Sequence, residues 1–179
     1  MALWVFGYGS LLWNPGFTPV ETMRADLPGY HRSFCMLSIH HRGTVAEPGL
    51  VLALDAREGA HCAGVAFRVA DAEEDAVLRD LRDRELISSA YVEEHVDLRL
   101  VDGREITALA YVIERDHVQY CQFTLEEQAQ RIAHAVGGRG PNIDYLLNTA
   151  RHLEELGIRD EEMTWLVSRV MDIRAGKTA

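Results

Sequence analysis

Cysteine is scarce in this chain. Cys35, Cys62 and Cys121 lie far apart and are odd in number, so they offer neither a disulfide framework nor a CxxC metal pair. Reduced thiols in a cytosol are the simplest reading, and Cys35 and Cys62, set in apolar strand-like runs, are expected in the core. Long apolar runs are missing as well: no stretch reaches the roughly 20 residues that a membrane-spanning helix requires. The segment Met1 to Phe17 has no basic region, and Gly7 to Ser10 interrupt its apolar run, which makes it a poor signal peptide. A cytoplasmic protein with no membrane partner is therefore expected. Basic residues are outnumbered, 18 against 28 acidic ones, for a formal charge of −10. That balance repels a phosphate backbone and argues against a nucleic-acid partner.

What remains is an ordinary globular composition. Apolar residues make up 47% of 179, enough for one domain over residues 1–179 with a sizeable core. Neither a repeat nor a linker divides it. Strand candidates fill the first two-thirds: Leu3–Gly7, Arg32–Ile39, Leu50–Asp55, Cys62–Val69, Tyr91–Leu100 and Ile106–Ile113. His95 to Leu100 alternates polar and apolar, as a half-buried strand should, whereas Ile106–Ile113 is apolar on both faces and is placed centrally. Helices fill the last third, so the class is α+β; six strands, if the sheet curves, would make a small barrel-like sheet. Asp71 with Glu74, and Thr124 with Glu127, read as capping boxes. The helix after Thr124 buries Leu125, Ala129, Ile132, Ala133 and Val136. A third helix follows Pro141-Asn142 with Ile143, Leu146, Leu147, Ala150 and Leu153 inward, and Gly157 caps it. A last helix spans about Asp160 to Arg174, with a frayed tail from about residue 175.

Four features suggest chemistry. In the helix that starts near Asp71, the apolar stripe Val77, Leu78, Leu81 continues onto Glu85. An inward carboxylate there would have a raised pKa, which suits a general base; otherwise Glu85 turns to solvent or pairs with an arginine. Gly7-Tyr8-Gly9-Ser10-Leu11 leaves a strand as a glycine-rich turn, either a simple turn or a cradle of N–H groups for an anion. It is not a G-x-S-x-G elbow, because Ser10 follows Gly9 directly and Leu12 stands where the second glycine belongs. His40-His41 would point to opposite faces of a strand, which disfavours a metal site, while Arg42 could hold an anionic substrate at a pocket rim. Tyr145 lies on the first turn of the third helix, either at the core edge or in a pocket.

Taken together, these residues resemble the ChaC-type γ-glutamylcyclotransferase family. The resemblance runs from Trp4-Val5-Phe6-Gly7-Tyr8-Gly9-Ser10-Leu11 through Trp13-Asn14-Pro15 and Gly29-Tyr30. It continues in His41-Arg42-Gly43, Pro48-Gly49, Gly64 to Arg68 and Leu81 to Glu85, and ends in Gly140-Pro141-Asn142 through Tyr145-Leu146. It implies a mixed, partly closed β-barrel with flanking helices. It also implies intramolecular cleavage of glutathione to 5-oxoproline and Cys-Gly, a lyase reaction without metal or organic cofactor. On that resemblance Glu85 is the base, while Val5, Phe6, Gly7, Tyr8, Gly9, Ser10 and Leu11 hold the γ-glutamyl group. Arg42 and Tyr145 are expected to contact the ligand. After Arg84-Glu85 some members carry a Gly-Gly-Tyr-type turn, whereas Leu86-Ile87-Ser88-Ser89-Ala90-Tyr91 follows here.

Overall fold

A computed structural model of the chain describes residues 2–86 and 89–177. It resolves into two compact units, Met1–Ser33 with Ala53–Val118, and Phe34–Leu52 with Gln119–Ala179.

The first unit is built on a closed five-stranded barrel in the order β1-β3-β2-β4-β5. The strands are β1 (Trp4–Gly7), β2 (Glu21–Ser38), β3 (Gly49–Arg68), β4 (Tyr91–Leu100) and β5 (Glu105–Ile113). β4 and β5 form an antiparallel ladder from Tyr91↔Ile113 to Arg99↔Glu105. β1 lies antiparallel to β3 and parallel to β5, where Val5 pairs with Leu109. Closure is thus complete where the sequence suggested a partial one, since β5 meets β1 on one side and β4 on the other. The two-sided apolar pattern of β5 has a direct cause. Ala108, Ala110 and Val112 join Trp4 and Phe6 of β1, and Tyr8 just after it, in one cluster, while Leu109 and Tyr111 join Val5 in another with Val77 and Leu81 of α1 (Glu74–Glu85). Alternate residues of each strand take opposite faces, and here both faces are covered.

Two strands run longer than their sequence signals. The strand expected from Arg32 begins already at Glu21, and β2 passes through Pro28-Gly29 with Gly29 at φ +85°. Leu50–Asp55 and Cys62–Val69 are two parts of β3, joined through exposed residues 56–59 with Gly59 at φ +79°. The Asp71 capping box does not form. A single 3-10 turn, Asp71–Glu73, precedes α1, and the Glu74 carboxylate instead accepts from the Leu3 N–H at 3.0 Å. Cys35 and Cys62 are buried as expected, and burial raises the Cys121 thiol to about 11.

The second unit holds α2 (Leu125–His134), a short β6–β7 ribbon (Val136–Gly137, Gly140–Pro141), α3 (Asn142–Glu155) and α4 (Glu161–Arg174). The Thr124–Glu127 capping box is present, Gly157 ends α3 at φ +69°, and Asp160 caps α4 through the Met163 N–H. Val136 and Leu147 differ from expectation: both are exposed, and Gln128, Asn142 and Thr149 are buried on α2 and α3 instead. Asn142 explains its own burial. Its side-chain amide accepts from the Leu50 N–H at 2.8 Å and donates to the Leu50 carbonyl at 2.9 Å, as a neighbouring strand would. Gly43, Gly49 and Gly137 let three backbone segments touch, because a Cβ on any of them would overlap backbone atoms.

Replacing Asn142 by alanine strands both Leu50 groups in a buried place, and about 2–4 kcal/mol of stability should be lost. Chemical denaturation measures this, with the exposed Val118→Ala as a control that shifts stability by less than about 0.5 kcal/mol.

Candidate active site

The glycine turn begins inside the barrel wall. Val5, Phe6, Tyr8 and Leu11 are buried, and the Tyr8 hydroxyl donates to the Tyr111 carbonyl at 2.9 Å. Gly7 is required by close approach, since a Cβ there would sit 2.9 Å from the Phe67 ring. The left-handed freedom expected of this turn is not used: Gly7 is absent from the positive-φ glycines, and Gly9 has φ −135°. From Ser10 the chain coils through a single 3-10 turn to Leu12, with the Leu12 N–H donating to Gly9 at 2.9 Å and Asn14 to Ser10 at 3.0 Å.

Two arginines hold this turn by its acceptors. Arg32, itself buried, donates from Nε to the Tyr8 carbonyl at 2.7 Å and from Nη2 to the Ala63 carbonyl. Arg84 donates to the Asn14 carbonyl at 2.7 Å and to Ser10 Oγ at 3.2 Å. Sequence reasoning singled out neither role. Arg32 sits within a strand pattern as an ordinary polar residue, and its partners are 24 and 31 positions away.

Glu85 is the last residue of α1, one turn beyond Leu81. Its side chain is only 15% exposed, and its Oε1 lies 3.4 Å from Arg84 Nε. Both sequence alternatives hold at once: the carboxylate is turned inward and it also pairs with an arginine. Burial raises its pKa, and the opposing pull of Arg84 is the smaller influence. Close by, the Tyr111 hydroxyl donates to Glu93 at 3.2 Å, and Arg82 grips that carboxylate at 2.9 and 2.8 Å. The Arg82 hydrogen bond holds Glu93 below the usual carboxylate range. Burial first, then the charge of Glu93, pushes the Tyr111 hydroxyl up, and the charge of Glu85 adds to it. In the Leu86–Ala90 departure, Ile87 and Ser88 lie outside the described residues.

The second unit brings Arg42 and Tyr145 together. The Arg42 guanidinium stands 5.9 Å from the Tyr145 ring centre and donates to the Arg139 and Pro141 carbonyls at 3.0 and 3.2 Å. The Tyr145 hydroxyl accepts from the Leu52 N–H at 3.2 Å, and its ring meets Phe34 edge-on. His40 and His41 are exposed, and among the described residues no group of three or more His, Cys, Asp or Glu side chains could hold a metal. Nor is any described helix long and apolar enough to cross a membrane.

The family model described as ChaC-like protein matches residues 3–173. The chain belongs to the ChaC-like family. Among relatives of this ChaC-like chain, the glutathione-specific gamma-glutamylcyclotransferase of Escherichia coli is 36% identical, over 97% of this chain and 74% of the other. Gamma-glutamylcyclotransferase 2-3 of Arabidopsis thaliana is 34% identical over 97% and 90%. The human glutathione-specific gamma-glutamylcyclotransferase 1 is 33% identical over 94% and 78%. A solved yeast cyclotransferase specific to glutathione shares the fold with a TM-score of 0.86, covering 99% of both chains at 23% identity.

A carboxylate whose folded pKa lies above its unfolded value loses stability as pH rises from the unfolded value through the folded one. Glu85→Gln removes that loss. Thermal melts should show the variant at least as stable as the parent at about pH 8, with its advantage gone below the ordinary value of 4.5. A variant that melts lower at about pH 8 would contradict burial as the larger influence on Glu85.

Proposed function

We propose that this chain is a γ-glutamylcyclotransferase that cleaves glutathione to 5-oxoproline and Cys-Gly, a cytoplasmic lyase working as one domain over residues 1–179. The observation that carries the assignment of the base is the inward carboxylate of Glu85, held beside the glycine turn through Arg84. Family membership and the glutathione-specific relatives support the substrate.

The substrate's α-amino group loses a proton to Glu85 and attacks its own γ-carbonyl carbon. A new C–N bond closes the five-membered ring, the bond to the cysteinyl nitrogen breaks, and Glu85 returns the proton to that leaving amine. The nucleophile belongs to the substrate, so intramolecularity lowers the barrier and the scheme calls for no metal or organic cofactor. The turn Val5–Leu11 holds the γ-glutamyl group. Arg32 takes the Tyr8 carbonyl, and in a trans peptide the following Gly9 N–H then points the opposite way, offering its donor to an anion or oxyanion. Arg42 and Tyr145 are the further ligand contacts. Ser10 is a poor candidate for a hydrolytic nucleophile: its hydroxyl oxygen accepts from Arg84, and among the described residues no histidine is hydrogen-bonded to it.

Purified protein incubated with glutathione should release 5-oxoproline and Cys-Gly in the presence of EDTA. Loss of activity on chelation and its return with zinc would remove the metal-free scheme. Glu85→Gln should slow turnover by about 10²- to 10⁴-fold while glutathione still binds, and Ser10→Ala should slow it far less. Steady-state kinetics with calorimetry separate these outcomes, and an active Glu85→Gln enzyme would rule out Glu85 as the base.

A further inference from the structure

Arg84 makes three contacts within one compact unit, and together they span two elements. Nη1 donates to the Asn14 carbonyl at 2.7 Å, Nη2 to Ser10 Oγ at 3.2 Å, and Nε stands 3.4 Å from Glu85 Oε1. Ser10 opens the 3-10 turn, and Asn14 closes it by donating back to the Ser10 carbonyl at 3.0 Å. One guanidinium therefore grips Ser10 in the glycine turn, Asn14 beyond the 3-10 turn that follows it, and the neighbouring carboxylate. A rigid fork of donors can do this, whereas a lysine ammonium at the end of a flexible stem cannot reproduce it.

We propose that Arg84 is a positioning residue for the cyclisation: it locks the glycine turn to the end of α1 and aims the Glu85 carboxylate at the substrate held by that turn. The inference rests on the reading of Glu85 as the base. Among the described residues, the charged and titratable groups acting on Glu85 are Arg84 on its own helix and Tyr111 of β5, whose hydroxyl is bonded to Glu93 of β4, itself gripped by Arg82. Tyr91 of β4 packs in the same cluster as Leu86. Arg84 is the cation that lowers the carboxyl's pKa against burial, so its removal moves ionisation of Glu85 to higher pH.

The test is the pH dependence of kcat and kcat/KM on glutathione for Arg84→Gln and Arg84→Lys. In the glutamine variant, kcat should fall about 10- to 100-fold and the acid limb of kcat/KM should move to higher pH. The lysine variant keeps the charge without the fork, so it should return the acid limb toward its wild-type place while kcat stays low. A contact that merely stabilised the fold would leave the acid limb where it is. If Arg84→Gln fails to fold, the lysine variant decides: reduced kcat with a wild-type acid limb supports positioning, and wild-type kcat overturns it. An active wild type whose Arg84 variants keep both kcat and acid limb overturns this inference alone. A wild type that releases no 5-oxoproline overturns it together with the proposed function.

Discussion

The rest of the first unit depends on β1 and β5 being buried on both faces. Trp4 and Phe6 fill the barrel from one face of β1, and Val5 meets α1 from the other. β5 repeats the division with Ala108 and Ala110 inward and Leu109 and Tyr111 outward. This double burial anchors α1 against the barrel wall through Val77 and Leu81, and one further turn brings Glu85 within the electrostatic reach of Tyr111. Moving β5 by one residue would exchange its two sets, putting Leu109 and Tyr111 where Ala108 and Ala110 now stand.

Against that frame, the carboxylate of Glu85 is under two opposed influences. Apolar surroundings favour its neutral form, and Arg84 favours its ion. A base needs some of each: enough burial to make it willing to take a proton near neutral pH, and enough positive charge to keep it ionised before it does. The Arg82–Glu93–Tyr111 chain runs beside it as a hydrogen-bonded network, in which the Arg82 hydrogen bond holds Glu93 below the usual carboxylate range.

The second unit solves a backbone problem. The Leu50 end of β3 would be left with unmet hydrogen-bonding groups, and the Asn142 amide meets them both. Gly43, Gly49 and Gly137 allow the segments to come close enough for this. Arg42 then closes over the Arg139 and Pro141 carbonyls and the Tyr145 ring, so a side chain expected only at a pocket rim also holds a loop in shape.

Local pattern was enough to read several elements. The alternation in β4, the two-faced β5, the Thr124 capping box, Gly157 after α3 and the stripe leading from Leu81 to Glu85 are all written in residues within a turn or a strand of one another. Features whose cause lies elsewhere in the chain were not legible. β2 starts at Glu21, ahead of the Arg32 start that the local pattern suggests, and the Asp71 box loses its Glu74 to the Leu3 N–H, 71 residues away. Arg84 is an ordinary exposed-looking arginine on a helix until Ser10, 74 positions distant, arrives under it, and Asn142 looks like a helix-start residue until Leu50 does the same. The sequence by itself determined the alternation of β4, the two apolar faces of β5, the start of α2 and the end of α3, because those depend on the few nearest residues. Only the tertiary structure decided which polar groups meet, because a buried donor or acceptor takes whatever partner the fold brings within about 3 Å.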